Sequence, residues 1–268
     1  MKGVPSSPAF GLPRPASLRW AVAGALAGAL LALVAFMPAA WLAHAVQQAC
    51  AGRVVLADAR GTAWTGSAQL ILTGGSGSRD AILLPGRVQW QLRPGLGSLT
   101  TRLSADCCTT QPLQMHLAPR WTGWRLQLDD GQVQWPAALL AGLGAPWNTV
   151  QFEGQFTLAT EHITLEWVAG RLTIAGQARL DALQLSSRLS TLQPLGDYQF
   201  TLQGGDIATL QLTTLQGSLK LEGSGQWVGS RLRFSGEASA APDHEAALSN
   251  LLNIIGRRNG ARSIITMG

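Results

Sequence analysis

The chain has 268 residues, only 13% of them charged, and carries 20 Lys and Arg against 15 Asp and Glu. Three of the basic residues, Lys2, Arg14 and Arg19, precede a long apolar run, so the rest is nearly neutral and lacks the basic profile of a nucleic-acid-binding protein. Polar positions are filled mainly by Gln, Thr, Ser and 31 Gly, a composition typical of short strands and turns.

An uncharged apolar run fills residues 20–43 and predicts a transmembrane helix. As a helix it extends about 34 Å, which is enough to cross a hydrocarbon core of about 30 Å. Trp20 and Trp41 lie near its ends, and the preceding basic residues place the N-terminus in the cytoplasm. The alternative is a signal peptide cleaved at Ala43-His44-Ala45, but the length of the run favours an uncleaved anchor.

The position of this run divides the chain into three parts: a tail before it, the run itself and a domain after it. Residues 1–19, rich in Pro and Gly, are expected to form a disordered cytoplasmic tail. Residues 46–268 are expected to form a periplasmic β-rich domain. Gly86-Arg-Val-Gln-Trp90 is echoed by Gly131-Gln-Val-Gln-Trp135, which suggests two stacked sub-units that meet near residues 136–148, although chance similarity explains the echo equally well.

Small residues recur at every fourth position inside the predicted span. Gly24, Gly28 and Ala32 lie on one helix face and would let a second helix approach closely. Plain exposure to lipid explains the same pattern, because the run is rich in Ala and Gly throughout. The three residues are therefore candidates for helix packing.

Beyond residue 46 the hydrophobic period changes to two. Alternation such as that of Val88, Trp90 and Leu92 with polar residues recurs about a dozen times between Gly-rich turns. The pattern predicts a mainly β fold, in which the single N-terminal transmembrane helix is followed by an elongated, twisted antiparallel β-sheet domain. One or two short helices are expected: one covers residues 137–141, and the other is capped by Pro242-Asp243 and ends at Gly256. The second would present one apolar face, formed by Leu248, Leu251, Leu252 and Ile255.

The cysteines and the search for catalytic motifs give little information about the function of the chain. Cys107 and Cys108 are adjacent and poorly placed to bridge each other, so the candidate disulfide joins Cys50 to Cys107 or Cys108, with free thiols as the alternative. The sequence has no nucleophile elbow, P-loop or dinucleotide-binding glycine motif. No catalytic residue, cofactor or metal site is predicted, and the chain is not expected to be an enzyme.

A family resemblance rests on two segments of the β-rich part. Gly61-Thr-Ala-Trp-Thr-Gly-Ser-Ala68 and Leu84-Pro-Gly-Arg-Val-Gln-Trp90, behind a single span, resemble protein N of bacterial type II secretion systems. The C-terminal segment 251–262 is similar to the end of that family. The resemblance implies a bitopic inner-membrane protein that acts in the export of folded proteins across the outer membrane. It brings no catalytic residues, and its motif residues are structural: Gly61, Thr62, Trp64, Gly66, Gly86 and Trp90. Trp64 is expected in the core, where its indole would fill one end of the sheet, and a binding platform is the alternative.

The predicted function is that of an accessory, non-enzymatic component of the type II secretion system in the inner membrane. It would act by protein contacts with other components, on the inner-membrane platform or the secretin side, through its span and through a sheet edge that can accept a strand. The alternative is a periplasmic lipid-handling protein whose β-groove shields acyl chains. An outer-membrane barrel is disfavoured, because one Tyr and six Phe are too few for aromatic girdles.

Overall fold

The computed structural model describes residues 15–75, 77–145, 147–229 and 231–268. Most of the tail predicted over residues 1–19 lies outside the described residues, and its last part is helical from Pro15 onward. The chain divides into two compact units, Met1–Met37 and Pro38–Gly268.

The apolar run forms two helices rather than the single predicted helix over residues 20–43. Helix α1 spans Pro15–Ala35, and its segment Leu18–Ala35 has a mean hydropathy of 1.9 and the length to cross a membrane. Helix α2 spans Ala39–Ala49 and belongs to the second unit. The helices are separate because Pro38 is extended, at φ −63° and ψ 144°, and proline disfavours a helical conformation in the residue before it.

The second unit contains a 16-stranded antiparallel sheet, which agrees with the predicted fold class. The strand order is β1-β2-β4-β5-β6-β7-β9-β10-β11-β12-β13-β14-β16-β15, with β3 paired to β2 and β8 paired to β9. The strands are β1 Val54–Gly61, β2 Thr65–Thr73, β3 Ala81–Leu83, β4 Val88–Gly95, β5 Ser98–Ala105, β6 Leu113–Arg120, β7 Gly123–Leu128, β8 Gly131–Pro136, β9 Phe152–Val168, β10 Arg171–Ser187, β11 Gly196–Gly205, β12 Thr209–Gly217, β13 Leu219–Val228, β14 Arg231–Ala240, β15 Arg257–Asn259 and β16 Arg262–Met267. Its helical elements are α2, a 3₁₀ helix Ala137–Leu143, α3 Trp147–Val150 and α4 Glu245–Ile255.

The register of the sheet brings apolar residues of neighbouring strands onto one face. Leu180 pairs with Leu158 on one side and with Phe200 on the other, and Phe200 pairs in turn with Leu212. Directly opposed residues of an antiparallel pair share a face, so these side chains form a row across four strands. The apolar residues of these strands share one face of the sheet, which explains why they alternate with polar residues in the sequence.

Helix α4 covers part of that face. Leu248, Leu251 and Leu252 are at most 1% exposed and join the largest core cluster, which also includes Tyr198 and Phe234. The predicted apolar face of this helix is confirmed, and Gly256 follows its last residue as expected. The expected cap at Pro242-Asp243 is wrong, because the N-cap is His244 and makes no side-chain capping bond.

The 3₁₀ helix, close to the expected helix over residues 137–141, connects two core clusters. Ala137 belongs to the cluster under α4, whereas Leu139 packs in a second cluster with Leu84, Ala105 and Cys108. The core thus changes composition at this point, although Pro38–Gly268 forms one compact unit. The meeting of two sub-units near residues 136–148 stays a prediction.

Candidate functional site

The sheet domain begins where Pro38 pairs with the first hairpin. Pro38 and Thr62 form an antiparallel bridge. Directly after it, Ala39 packs with Ala68 of β2 and Trp90 of β4 in a buried cluster, in which each is at most 3% exposed. The start of α2 is therefore fixed to the sheet, and this junction contains most residues of the family motif.

The turn between β1 and β2 is closed by its two threonines. The N–H of Thr62 donates to the carbonyl oxygen of Thr65 at 2.9 Å, and the N–H of Thr65 donates to Oγ1 of Thr62 at 3.1 Å. Gly61 has a φ of +87°, a left-handed conformation that glycine adopts without the cost that other residues incur. The predicted structural role of Gly61 and Thr62 therefore corresponds to the closing of this turn.

Trp90 ties this turn to β4. Its Nε1–H donates to the carbonyl oxygen of Ala63 at 3.1 Å, and the side chain is 3% exposed. A Cβ at Gly66 would lie 2.6 Å from Cζ2 of Trp90 and 2.6 Å from the carbonyl oxygen of Arg60. The indole reaches the turn because residue 66 has no side chain.

Trp64 and Gly86 have other positions. Trp64 was expected in the core, but it is half-buried in the turn, and its carbonyl oxygen accepts the N–H of Leu92 at 2.6 Å. The buried indole of the motif is that of Trp90. Gly86 lies in the turn before β4, at a φ of +84°.

Arg87 and Asp58 complete the junction, and the sequence did not single them out. The Arg87 guanidinium lies 2.8 Å from Oδ2 of Asp58 and donates to the carbonyl oxygens of Asp58 at 2.6 Å and Ser67 at 3.1 Å. Asp58 has a φ of +48° at a register shift between Ala57 and Arg60, so it marks a β-bulge. Arg87 thus reaches across β2 to hold the bulge of β1.

The Asp58 carboxylate is stabilised in its charged form. Hydrogen bonds from Arg60 and then from Arg87 hold its pKa below the ordinary value. The only signal in the sequence was the place of Arg87 inside the motif Leu84-Pro-Gly-Arg-Val-Gln-Trp90. Finding Asp58 required the strand register.

The packing candidates of the span lie apart from this junction. Gly24, Gly28 and Ala32 are exposed on α1. Apart from the neighbouring residues and backbone of α1 itself, a Cβ built at Gly24 or Gly28 would meet no heavy atom within 4 Å among the described residues. A contact of this face with another helix stays a prediction.

The candidate disulfide of Cys50 is wrong. Cys107 and Cys108 are bonded to each other, and Cys50 is a free, half-buried thiol. Cys50 precedes β1 and Cys107 follows β5, and the order β1-β2-β4-β5 puts three inter-strand steps between them. Three steps span about 14 Å, whereas bridged residues have Cα atoms less than about 7 Å apart.

Titratable side chains are scattered rather than clustered. Within the part of the chain that the structure describes, no group of three His, Cys, Asp or Glu residues is placed to hold a metal ion. His116 Nε2 lies 3.4 Å from Oδ1 of Asp129, and His162 Nδ1 lies 3.6 Å from Oδ2 of Asp130, as two separate exposed pairs. The organised polar contacts at the junction support the backbone of a turn and a bulge.

Comparison with known families identifies the chain. The family described as Type II secretion system (T2SS), protein N matches residues 52–265. No curated protein and no solved structure matches the chain. The matched range begins just before β1 and ends within β16, so it covers nearly all of the sheet, including the motif residues of the junction. With its apolar helix Leu18–Ala35 and its large antiparallel sheet, the chain belongs to the protein N family of the type II secretion system.

Proposed function

We propose that the chain is an accessory, non-enzymatic component of the secretion machinery that acts through contacts. In this proposal α1 crosses the inner membrane once, with the N-terminus in the cytoplasm and the sheet in the periplasm. The observation that carries the proposal is the junction, where the motif residues Gly61, Gly66 and Trp90 hold the start of the domain to the sheet. These contacts fix one part of the chain to another and organise no reactive group. This is what we expect of a protein that acts by positioning other components.

Strand addition at a sheet edge is a restricted route for these contacts. The terminal strands of the sheet are β1 and β15. Strand β15 has three exposed residues, two of them arginines, and short charged edges resist pairing. The bulge at Asp58 interrupts β1 and leaves only its first half regular. We therefore expect partners to bind mainly through the span and the faces of the sheet.

A secretion assay tests the proposal. Deletion of the gene should reduce the release of exoproteins while the rest of the apparatus is present, and unchanged release would contradict the proposal. For the span, Gly24→Leu with Gly28→Leu should weaken complementation if that face packs against another helix. Ala25→Leu with Ala29→Leu adds similar bulk about 100° around the helix and is the matched control.

Lipid handling remains the second candidate because part of the apolar face is uncovered. Leu99, Leu117, Leu126, Leu165 and Ile174 pair successively across five strands, and Leu117 is 38% exposed. A hollow of about 900 Å³ opens elsewhere and is lined by many polar residues, among them Gln211, Ser224, Arg231 and Arg233. A photo-crosslinker at Leu126 separates the candidates, because captured phospholipid favours lipid handling and a captured secretion component favours the first proposal.

A further inference from the structure

Several hairpin turns lie at the same end of the sheet. The turn 62–64 joins β1 to β2, the turn 96–97 joins β4 to β5, and the turn 121–122 joins β6 to β7. Strands β2 and β4, and strands β5 and β6, pair antiparallel. The three turns therefore project from one edge, which is named here the turn edge.

Two of these turns carry large apolar side chains in solvent. Leu96 and Trp121 are fully exposed, and Leu117 and Trp124 behind them are each 38% exposed. Leu99, Leu117 and Trp124 line a common hollow of about 360 Å³ that also includes both turns' flanking residues. A contiguous exposed apolar patch of this kind marks a protein or membrane interaction site.

Arginines surround the patch. Arg93 and Arg120 lie close to the two turns, and Arg171 begins β10 beside them, opposite Val168. All three are exposed, and none takes part in an ion pair with any residue in the ranges that the structure describes. Toward the other end of the same strands, Asp106 follows β5 and Asp129 follows β7. The turn edge therefore carries three arginines without an ion-pair partner among the described residues, whereas the loops at the other end carry charges of both signs, such as Asp106 and Arg87.

The chain enters the sheet domain at this edge. Pro38 pairs with Thr62 in the turn 62–64, and only Phe36 and Met37 separate Pro38 from the last residue of α1. Connectivity alone limits the distance from Ala35 to Pro38 to about 11 Å. The backbone N–H of Leu92 donates to the carbonyl oxygen of Trp64 in the same turn. The four residues from Leu92 to Leu96 extend about 14 Å. The turn 96–97 therefore lies close to the turn 62–64, where Pro38 brings the chain into the sheet domain directly after the linker from α1.

The twist of the sheet limits how many turns can face one plane. Neighbouring strands rotate by about 20–25° relative to each other, so β11, three positions beyond β7, is turned by about 60–75° and β13, five positions beyond β7, by about 100–125°. The turns near Ile207 and Val228, although they also carry exposed apolar side chains, therefore point in other directions than the turns 96–97 and 121–122. The turns 96–97 and 121–122, by contrast, lie within four consecutive strands.

A bilayer surface is the occupant that fits this chemistry. Trp and Arg at the end of an element are typical of the interface, where an indole lies at headgroup depth and a guanidinium binds anionic lipid. We propose that the turns 96–97 and 121–122 rest on the membrane that α1 crosses, with Leu96 and Trp121 among the headgroups and Arg93 and Arg120 on anionic lipid. This rests on the anchor proposed above, and it would hold the sheet against the membrane at a second point.

Spin labels on the full chain in lipid nanodiscs test this contact. In a Cys50→Ser chain, the bonded pair Cys107 and Cys108 leaves no other free thiol. Labels at Leu96→Cys and Trp121→Cys should collide more with oxygen, and less with a water-soluble nickel complex, than a label at Thr191→Cys. Thr191 is exposed in the loop between β10 and β11, at the opposite end of the sheet.

Three outcomes of this labelling experiment would contradict the proposed membrane contact. Labels at Leu96 and Trp121 that are as open to nickel as the label at Thr191 would overturn the inference. Labels shielded from both reagents would also overturn it and would indicate a protein contact. Loss of the chain from the discs would overturn the anchor itself, and the inference with it.

The arginines are tested by a paired substitution. Arg93→Gln with Arg120→Gln should lower the oxygen-to-nickel ratio at Trp121→Cys in discs that contain phosphatidylglycerol, and should change it little in purely zwitterionic discs. Arg188→Gln with Arg257→Gln, which removes two exposed arginines away from the turn edge, is the control. An unchanged ratio in anionic discs would overturn the role of the headgroup charge.

Discussion

Trp90 donates its indole N–H to the carbonyl oxygen of Ala63 at 3.1 Å, and this buried bond links β4 to the turn between β1 and β2. Ala39, the first residue of α2, belongs to the same buried cluster as this indole. One side chain therefore connects the first hairpin, the neighbouring strand and the start of the domain.

Trp90→Phe should destabilise the sheet domain by about 1–3 kcal/mol, because it leaves the Ala63 carbonyl buried without its donor. Trp90→Ala should cost about 3–5 kcal/mol, since it also leaves a cavity. Thermal unfolding of the full chain in detergent micelles measures both. Trp121→Phe is the control, because Trp121 is fully exposed, and an equal loss in both Phe variants would contradict the role of the bond.

Gly66→Ala should also destabilise the junction, by about 1–3 kcal/mol for overpacking. Its methyl group would lie 2.6 Å from the Trp90 ring and 2.8 Å from the Thr62 carbonyl oxygen. Gly131→Ala is the matched control, because its nearest contact would be at 3.7 Å. The same unfolding assay applies, and a neutral Gly66→Ala variant would show that the indole does not pack here as described.

Asp58→Asn should lower the melting temperature at pH 7 and matter less at pH 3. Arg60 and Arg87 lower the pKa of Asp58, so their stabilising effect is present above the unfolded value of about 3.9 and is lost as the pH falls through the folded value. Asn tolerates the left-handed conformation of residue 58, which isolates the charge. Asp206→Asn, in an exposed turn, is the control, and an equal effect of Asp58→Asn at both pH values would refute the charge interaction.

Tyr198→Phe should cost about 1 kcal/mol at neutral pH, because the Tyr198 hydroxyl donates to the Leu219 carbonyl oxygen, at 3.0 Å in a buried site. Burial, with a smaller effect of Asp197, raises the pKa of Tyr198 above its ordinary value. The unfolded chain therefore loses this proton first, and wild-type stability should fall as the pH rises above about 10. Tyr198→Phe should show a weaker alkaline decline in equilibrium unfolding, and an identical decline would assign the effect to other groups.

Local patterns in the sequence were sufficient for the class of the fold. The period of two predicted the antiparallel sheet, and the spacing of Leu248, Leu251 and Leu252 predicted the buried face of α4. These features succeed because side chains alternate across a strand and repeat every 3.6 residues on a helix. The motif Gly61 to Trp90 also indicated the family, which the match over residues 52–265 shows.

Features that join distant residues could not be read in this way. The sequence predicted a core position for Trp64, and it offered Cys50 as the partner of Cys107 or Cys108. Strand order decides both, since it puts Trp90 next to the first turn and separates Cys50 from β5 by three strand steps. Arg87 meets Asp58 only through the register of β1, β2 and β4.

The sequence by itself therefore determined an apolar N-terminal helix, a β-rich domain and a family, because composition and short-range periodicity act over a few residues. Tertiary structure alone decided where the apolar run ends as a separate helix, which tryptophan is buried and which end of the sheet receives the chain at Pro38. These depend on pairing between segments far apart in sequence, and a shift of one residue in register would turn every side chain to the opposite face.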